Sequence, residues 1–172
     1  VNELSPSERK NHIMMSSIWF GNGKPKDMNA YLTPFGNEAK TLLQDGFSYT
    51  YKGITYKKRV VTLMGICDSV ARPLVQCCKQ FNGEYGCGLC MHRGESVGKG
   101  RGYARVYPVI DDNFFGEGLR THEQTMIYAE EKIKENKKGI KRKSILCDIP
   151  DYNMVKNLDV EWMHCVPLGV VR

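Results

Sequence analysis

Two cysteines three positions apart, Cys87 and Cys90, are the side chains in this 172-residue sequence best suited to hold a metal ion. They stand in the glycine-rich stretch YGCGLCMHRGE, residues 85–95. Cys-x-x-Cys pairs serve as zinc knuckles, as redox centres or as halves of disulfide frameworks. A redox centre needs a helix that begins at the first cysteine, which the surrounding glycines disfavour. We expect a structural Zn²⁺ site, with reduced structural cysteines as the alternative.

The full set of cysteines indicates a reducing compartment. The chain has seven, an odd number, and is long enough to fold without disulfides. Its polar first residues hold no signal-peptide core, and its longest apolar run is too short to cross a bilayer, so we expect no membrane partner. Both ends resemble internal positions of a longer chain. The remaining cysteines are predicted to be small packing residues: Cys67, Cys77, Cys78, Cys147 and Cys165.

A carboxylate, Asp68, directly follows the almost continuous apolar run RVVTLMGIC, residues 59–67. Such a run is typical of a buried central strand, which would carry the acid at its tip. A carboxylate on a rigid strand end is a ligand that Mg²⁺ accepts in nucleotidyl-transfer sites. Because Asp also caps helices, the alternative role of Asp68 is to cap the segment SVARPL that follows.

The first half of the chain shows patterns of both strands and helices. Residues 13–20, IMMSSIWF, have the pattern of a buried strand. A helix is predicted over residues 28–43, capped by Asp27, closed by Gly46 and broken or kinked at Pro34. Residues 47–58, FSYTYKGITYKK, alternate aromatic and polar side chains about a Lys-Gly pair, which predicts a β-hairpin.

The second half is predicted from weaker signals. After Asp68, apolar residues at helical spacing indicate a second helix, with Pro73 in its first turn. Residues 98–118 are rich in glycine and are predicted to form a loop with one short strand near Val106. Thr121 and Gln124 have the spacing of a capping box, for a helix over residues 123–138. The elements together predict an α/β fold with helices packed on a sheet.

Basic residues form two clusters within a net charge of +6. One cluster adjoins the cysteine pair, and the other follows the last predicted helix. Either can meet phosphates, and the alternative for each is an ordinary solvated surface. The first contains His92, Arg93, Lys99, Arg101 and Arg105, and the second contains Lys132, Lys134, Lys137, Lys138, Lys141, Arg142 and Lys143.

Three motifs follow one another along the chain: DSVAR from Asp68, QFNGEYGCGLC up to Cys90, and LDVEWMHCVPLG near the end. This order resembles the transposase family tnp2 of the CACTA (En/Spm) cut-and-paste DNA transposons. Members of that family carry a strand-end Asp followed by a small residue and Arg, a Cys-x-x-Cys, and a D-x-MH-x-x-x-LG box. The stretch WFGNGKPKDMNAYLTPF is also similar to a segment of the family. The box here is one residue longer, since Asp159 and Met163 are four apart (163 minus 159).

The resemblance implies that residues 1–172 are an incomplete RNase H-like (DDE transposase) core with a mixed sheet. The hairpin at residues 47–58 would be an insertion, the cysteine knuckle would span residues 82–95, and a helical insertion would begin near residue 119. Asp68 then corresponds to the second catalytic acid and binds Mg²⁺ or Mn²⁺. Cys87 and Cys90 correspond to a zinc-binding pair, for which His164 is the best further ligand within the chain.

The first and last catalytic acids are expected outside the sequence, with Asp159 and Glu161 as the only local substitutes. We therefore expect this chain by itself to be inactive. The implied partners are transposon-end and target DNA, with a homo-oligomer in the intact enzyme and a nuclear location. Two alternatives remain: a domesticated zinc-containing DNA-binding module without nuclease activity, and an unrelated zinc-stabilised interaction domain.

Overall fold

The computed structural model describes residues 4–109, 117–165 and 167, without the side chains of residues 136, 164 and 165. Helices and strands are mixed along the chain, as predicted for an α/β protein. The described strands form three separate two-stranded sheets, one parallel and two antiparallel, instead of one mixed sheet. The elements are α1 (Pro6–Arg9), α2 (Met28–Gln44), β1 (Phe47–Tyr51), β2 (Ile54–Lys58), β3 (Gly65–Cys67), α3 (Ala71–Val75), β4 (Glu95–Lys99), β5 (Gly102–Val106), α4 (His122–Glu130), 3₁₀ turns at Lys134–Lys137 and Ile145–Asp148, β6 (Leu158–Val160) and α5 (Trp162–Cys165).

One apolar core joins α2, α3, β6 and the 3₁₀ turn that begins at Ile145. Met154 and Leu158 lie at its centre, with 1% and 2% of their surface exposed. The other buried members are Ala39, Val75, Leu146, Ile149 and Tyr152. This core fixes the parallel pair β3–β6 and the end of α3 against the long helix, which places the strand end carrying Asp68.

Helix α2 begins at the predicted cap. Asp27 Oδ1 accepts the amides of Asn29 and Ala30, at 2.9 and 3.2 Å. The predicted break at Pro34 is wrong, because the helix continues through this exposed residue. Burial of the neighbouring apolar face on the core offsets the hydrogen bond that a proline cannot donate. Gly46 follows the helix with a φ of 74°, where a Cβ atom would lie 2.3 Å from the Lys58 carbonyl oxygen.

The hairpin over residues 47–58 is confirmed. Strands β1 and β2 are antiparallel, and the turn residues Lys52 and Gly53 have φ values of 49° and 75°. Two positive φ angles in a two-residue turn match the right-handed twist of the strands. Tyr49 and Tyr56 are cross-strand partners whose rings stack at 5.3 Å. The aromatic alternation in the sequence therefore marks one face of this hairpin.

The long central strand predicted over residues 59–68 is wrong in extent. Only Gly65–Cys67 forms a strand, β3, and it pairs in parallel with the three-residue strand β6. Val61 and Leu63 are 56% and 60% exposed, since no described strand lies beside them. The Val60 amide instead donates to the Leu42 carbonyl at the end of α2, at 3.1 Å. Apolar composition alone indicated burial here without identifying a partner.

The buried strand predicted over residues 13–20 is also wrong. This segment has no regular secondary structure, and Ile13 and Phe20 are 82% and 98% exposed. Its contacts are with α2: Ser17 Oγ donates to Tyr31 Oη at 3.1 Å, and the Trp19 ring meets the Tyr31 ring edge-on. The apolar run at residues 168–172 lies outside the described residues.

Two further boundaries differ from the predictions. The short strand predicted near Val106 is confirmed as β5, but it forms a second hairpin with β4, which begins at Glu95, before the predicted loop. Helix α4 starts at the predicted capping box of Thr121 and Gln124 but ends at Glu130. Helix α3 is also short, and Cys77 follows it with a φ of 56°, which no helix accommodates.

Replacing Leu158 tests whether the core supports the parallel strand pair. Leu158→Ala should lower the free energy of unfolding by about 2–5 kcal/mol, because it leaves a cavity at the centre of the core. Urea unfolding followed by circular dichroism measures the change. Ile66→Ala on the adjacent strand is the matched control, since Ile66 is 66% exposed. A control that lost as much stability as Leu158→Ala would contradict this description of the core.

Candidate functional site

Asp68 lies at the carboxyl end of β3, and its side chain supports the start of α3. Its Oδ1 accepts the amide of Val70 at 3.0 Å and that of Ala71 as well, while its carbonyl accepts the amide of Arg72 at 3.0 Å. Asp68 thus caps the start of α3, which is the alternative role considered for it in the sequence analysis. The residue is half-buried, and these side-chain bonds use one carboxylate oxygen. Metal binding by Asp68 stays a prediction.

The parallel pairing brings a second acid next to Asp68. Cys67 is in register with Val160, and the Glu161 amide donates to the Cys67 carbonyl at 2.9 Å. Since parallel strands present their carboxyl ends at one edge, Asp68 and Glu161 begin the segments that leave this edge. Asp159 lies further back, within β6 and opposite Ile66. Of the two local acids proposed from the sequence, Glu161 is therefore nearer to Asp68 along the strands.

Helix α3 connects this edge to the cysteine loop, defined here as residues 85–91. Arg72 and Gln76 are four positions apart and lie on one face of the helical turn, beneath Gly88. A Cβ atom at Gly88 would lie 2.5 Å from Gln76 Oε1 and 3.4 Å from Arg72 Cζ. Gln76 is itself fixed, because its Nε2 donates to the Met154 carbonyl at 3.1 Å. The loop thus packs on the helix that begins after Asp68.

The cysteine loop presents backbone amides to a sulfur, as its glycines predict. The amides of Leu89 and Cys90 donate to Cys87 Sγ at 3.4 and 3.3 Å. Gly86 permits the curl, since a Cβ atom there would lie 2.2 Å from the Gln80 carbonyl oxygen. Both donors lie within the Cys-x-x-Cys segment itself. The predicted curl of the glycine-rich backbone around one of the two sulfurs is therefore observed.

Cys90 differs from Cys87 in its surroundings. It is 7% exposed, and burial, together with the neighbouring Cys87 sulfur, raises the pKa of the Cys90 thiol. A metal ion at the pair would displace this proton, so metal binding would weaken as the pH falls. The strand-like bridge between Cys90 and Leu119 holds the loop from the other side.

Arg120, a buried residue that the sequence analysis did not identify, connects the cysteine loop to the rest of the chain by hydrogen bonds. Arg120 is 6% exposed, and its Nε donates to the Cys87 carbonyl at 2.8 Å. Its Nη2 donates to the carbonyls of Tyr85 and Lys138, at 2.9 and 2.8 Å. Arg120 lies outside any helical or strand pattern, so nothing in its spacing distinguished it. One guanidinium therefore bonds three backbone carbonyls, two in the cysteine loop and one at Lys138.

Positive charge is concentrated beneath the loop. Arg72 and Arg120 are 7% and 6% exposed, and neither forms an ion pair with the part of the chain that the structure describes. Arg72 Nε and Nη2, Gln76 Oε1 and Arg120 Nη1 also have no hydrogen-bond partner there. Buried cations without carboxylates are costly, and they favour a neighbouring anion such as a thiolate. The two guanidiniums thus make the surroundings of the cysteine loop positive.

Two histidines are considered as metal ligands: the bonds of His92 are described, and the side chain of His164 is not. His92 Nδ1 accepts the Gly94 amide at 2.9 Å, and its Nε2 bonds the Pro108 carbonyl at 3.0 Å. Both of its ring nitrogens are therefore engaged in hydrogen bonds to the backbone. The side chain of His164 lies outside the description, and its role stays a prediction. Within residues 4–109, 117–163 and 167, no three His, Cys, Asp or Glu side chains cluster to hold a metal.

The other described cysteines pack as small apolar side chains, as predicted. Cys77 and Cys78 are each 5% exposed, and Cys67 and Cys147 lie against the apolar core. Burial raises the pKa of Cys78 to about 12 and that of Cys147 to about 11. These thiols therefore stay protonated and unreactive near neutral pH. The side chain of Cys165 is not described.

Ion pairs occupy part of the second basic cluster. Lys138 Nζ lies 2.8 Å from Glu117 Oε1, and two further pairs join Arg142 to Asp27 and Lys143 to Asp148. A cation already paired with a carboxylate contributes less to binding phosphate. These contacts favour an ordinary surface for that part of the cluster.

Among the described residues, none of the helices has the length and hydrophobicity of a membrane span. Comparison of the chain with family models, curated proteins and solved structures gives no match.

Substituting Arg120 tests its hold on the loop. Arg120→Met should lower the free energy of unfolding by about 2–4 kcal/mol, because three buried carbonyls lose a charged donor. Arg93→Met is the control, since the Arg93 side chain is 68% exposed and its contact in the described part of the chain is an ion pair with Glu84. Urea unfolding of both variants gives the comparison. Equal losses in the two variants would show that Arg120 is not the residue that fixes the loop.

Proposed function

We propose that this chain is part of the catalytic core of a cut-and-paste DNA transposase, with an RNase H-like arrangement around the β3–β6 edge. One observation carries the proposal: the strand end that bears Asp68 is followed directly by the helix on which the cysteine loop packs. Cys87 comes 19 positions after Asp68 (87 minus 68), and α3 bridges that interval. A metal-binding acid and a zinc-stabilised loop would thus share one scaffold, as the resemblance to the tnp2 family implies.

The donor set at the β3–β6 edge fits Mg²⁺ or Mn²⁺. Carboxylate oxygens are the ligands these ions prefer, and Asp68 and Glu161 start the two segments that leave the edge. When bound, paired divalent ions supply charge stabilisation to the attacking and leaving oxygens of a phosphodiester. The role of this chain would be to hold the acids rigidly at a strand end, with the amides of Val70 and Ala71 orienting Asp68.

The donor set of the cysteine loop fits half of a structural Zn²⁺ site. Cys87 and Cys90 would supply two thiolates, supported by the amides and guanidiniums around them. His164 is proposed as a further ligand. Such a site would stabilise the loop, and with it the packing on α3, without taking part in bond cleavage.

DNA is the proposed partner, as transposon end and as target, in a homo-oligomer located in the nucleus. The second candidate function is a domesticated zinc-containing DNA-binding module that has no nuclease activity. It is favoured by the capping role of Asp68, because a residue needed to start a helix can persist without catalysis. DNA cleavage by the complete gene product separates the two candidates.

Asp68→Asn tests the catalytic assignment in the complete gene product that contains this chain. Asn keeps an oxygen that accepts the two amides, so folding should be preserved, whereas the charge that binds a divalent ion is lost. We expect DNA cleavage in Mg²⁺ to fall by about a hundredfold or more, with DNA affinity changed less than about threefold. Gel assays of cleavage and binding measure both.

Asp45→Asn is the control for Asp68→Asn, because Asp45 is an exposed carboxylate at the end of α2. This variant should cleave DNA as the unmodified protein does. Cleavage that survived Asp68→Asn would remove Asp68 from the proposed site.

Zinc analysis tests the cysteine loop independently of catalysis. The purified chain should hold about one zinc ion, and Cys87→Ser should lose most of it and melt at a lower temperature. Cys147→Ser, which alters a thiol beside the apolar core, should keep its zinc. Elemental analysis and thermal unfolding with and without a chelator give the readouts. A metal-free chain whose melting is unchanged by added zinc would contradict the zinc assignment.

A further inference from the structure

The hairpin β4–β5 projects from the cysteine loop into solvent. Every residue of β4 is exposed, as are Gly102 and Tyr103 at the start of β5. Cβ atoms built at Gly98, Gly100 or Gly102 would have no other heavy atom within 4 Å. We name residues 95–106 the basic hairpin. Five residues on each strand give it a length of about 17 Å.

Apart from Glu95 at its base, the basic hairpin carries only positively charged side chains. Lys99 and Arg101 lie at the tip, in the run Gly-Lys-Gly-Arg-Gly of residues 98–102. Glu95 is the one acid in residues 95–106, and it pairs with Val106 at the end far from the turn. The tip therefore presents two cations on a β-ribbon in which every second residue is glycine. Because glycine has no side chain, a ligand can approach the backbone there closely.

One face of the basic hairpin also presents an uncovered aromatic ring. Tyr103 is 83% exposed and pairs with Gly98, so no side chain stands opposite its ring. Arg105 is in the next position on the same face, paired with Ser96. This face thus presents one exposed ring, with the largely buried cation of Arg105 beside it, to a ligand in solvent.

The base of the basic hairpin is fixed to the proposed zinc loop. Tyr107 Oη donates to the Gly83 carbonyl at 2.6 Å and accepts the Gly86 amide at 3.1 Å. Arg105 Nη1 donates to the Gly94 carbonyl at 3.1 Å. These bonds join the root of the ribbon to the segments on both sides of the cysteines. Its position is thus determined by the same loop that packs on α3.

We propose that the basic hairpin is a DNA-binding ribbon that enters a groove of duplex DNA, with Lys99 and Arg101 contacting phosphates. The major groove is about 12 Å wide and 8.5 Å deep, and it admits a two-stranded β-ribbon of this length. Phosphate charge complements the tip, and a ribbon narrowed by glycines allows close approach. The choice of duplex DNA over another polyanion rests on the proposed function.

Fluorescence anisotropy with a labelled random-sequence DNA duplex, measured over a range of salt concentrations, tests the inference on the 172-residue chain. Lys99→Gln combined with Arg101→Gln should weaken binding about tenfold or more at 0.1 M salt. The slope of log affinity against log salt should fall by about two, because two phosphate contacts are lost.

The matched control removes two cations from the other hairpin. Lys57→Gln combined with Lys58→Gln changes the net charge equally on exposed positions of β2. This control should bind the duplex within about twofold of the unmodified chain, with an unchanged slope. Circular dichroism of both double variants confirms that they fold alike.

The outcomes separate this inference from the proposed function. Equal binding by the tip variant and the unmodified chain would overturn the role of the hairpin but leave the cleavage test of Asp68 unaffected. Polyglutamate that displaced the duplex at the same charge concentration would show generic attraction of acidic polymers, and would overturn the choice of DNA. Loss of binding confined to the tip variant would support the inference.

Discussion

The close approach of Gly88 to the polar face of α3 is the contact on which the arrangement of this protein depends. A single added carbon at Gly88 would lie 2.5 Å from Gln76 Oε1, so the cysteine loop packs on the helix at a distance that leaves little room for a side chain. Helix α3 in turn begins at the carboxyl end of β3, which the core fixes through Leu158 and Met154. The carboxylate at the strand end and the cysteine pair are thereby held by the same few residues of helix. Movement of either would be transmitted through one short and well-packed element.

Buried positive charge gives this junction an electrostatic character as well as a steric one. Arg72 and Arg120 reach the loop from opposite directions along the chain, and both are more than nine-tenths buried. Arg120 donates three hydrogen bonds to backbone carbonyls. These bonds fix the position of the cysteine loop but leave the charge of the guanidinium unneutralised. Two thiolates at Cys87 and Cys90 would balance the two guanidiniums. A metal ion bound there would add positive charge to the site. Further ligands, anionic or neutral, would then come from residues that the structure does not describe.

Local signals in the sequence predicted local structure well. The cap at Asp27, the hairpin turn at Lys52-Gly53 and the capping box at Thr121 are each confirmed, because each depends on a few adjacent residues. The curl of the cysteine loop followed in the same way from its glycines. Predictions that needed a partner elsewhere in the chain succeeded less often. Residues 13–20 and 59–64 are apolar enough for strands, yet pairing depends on residues that composition does not specify. Arg120 and the Arg72–Gln76 pair were missed because burial of a polar side chain is set by tertiary contacts, which leave no periodicity.

The division of the described strands into three pairs has a consequence for handling the protein. Each described strand therefore has one edge with which no other described strand pairs. Lysines at the ends of β2 and β4 discourage edge-to-edge aggregation of the two hairpins. The edge of β3 lacks such a charge, and it is preceded by exposed Leu63 and Met64. Self-association in concentrated solution should therefore begin at this strand, and a charged residue placed there would act as a gatekeeper.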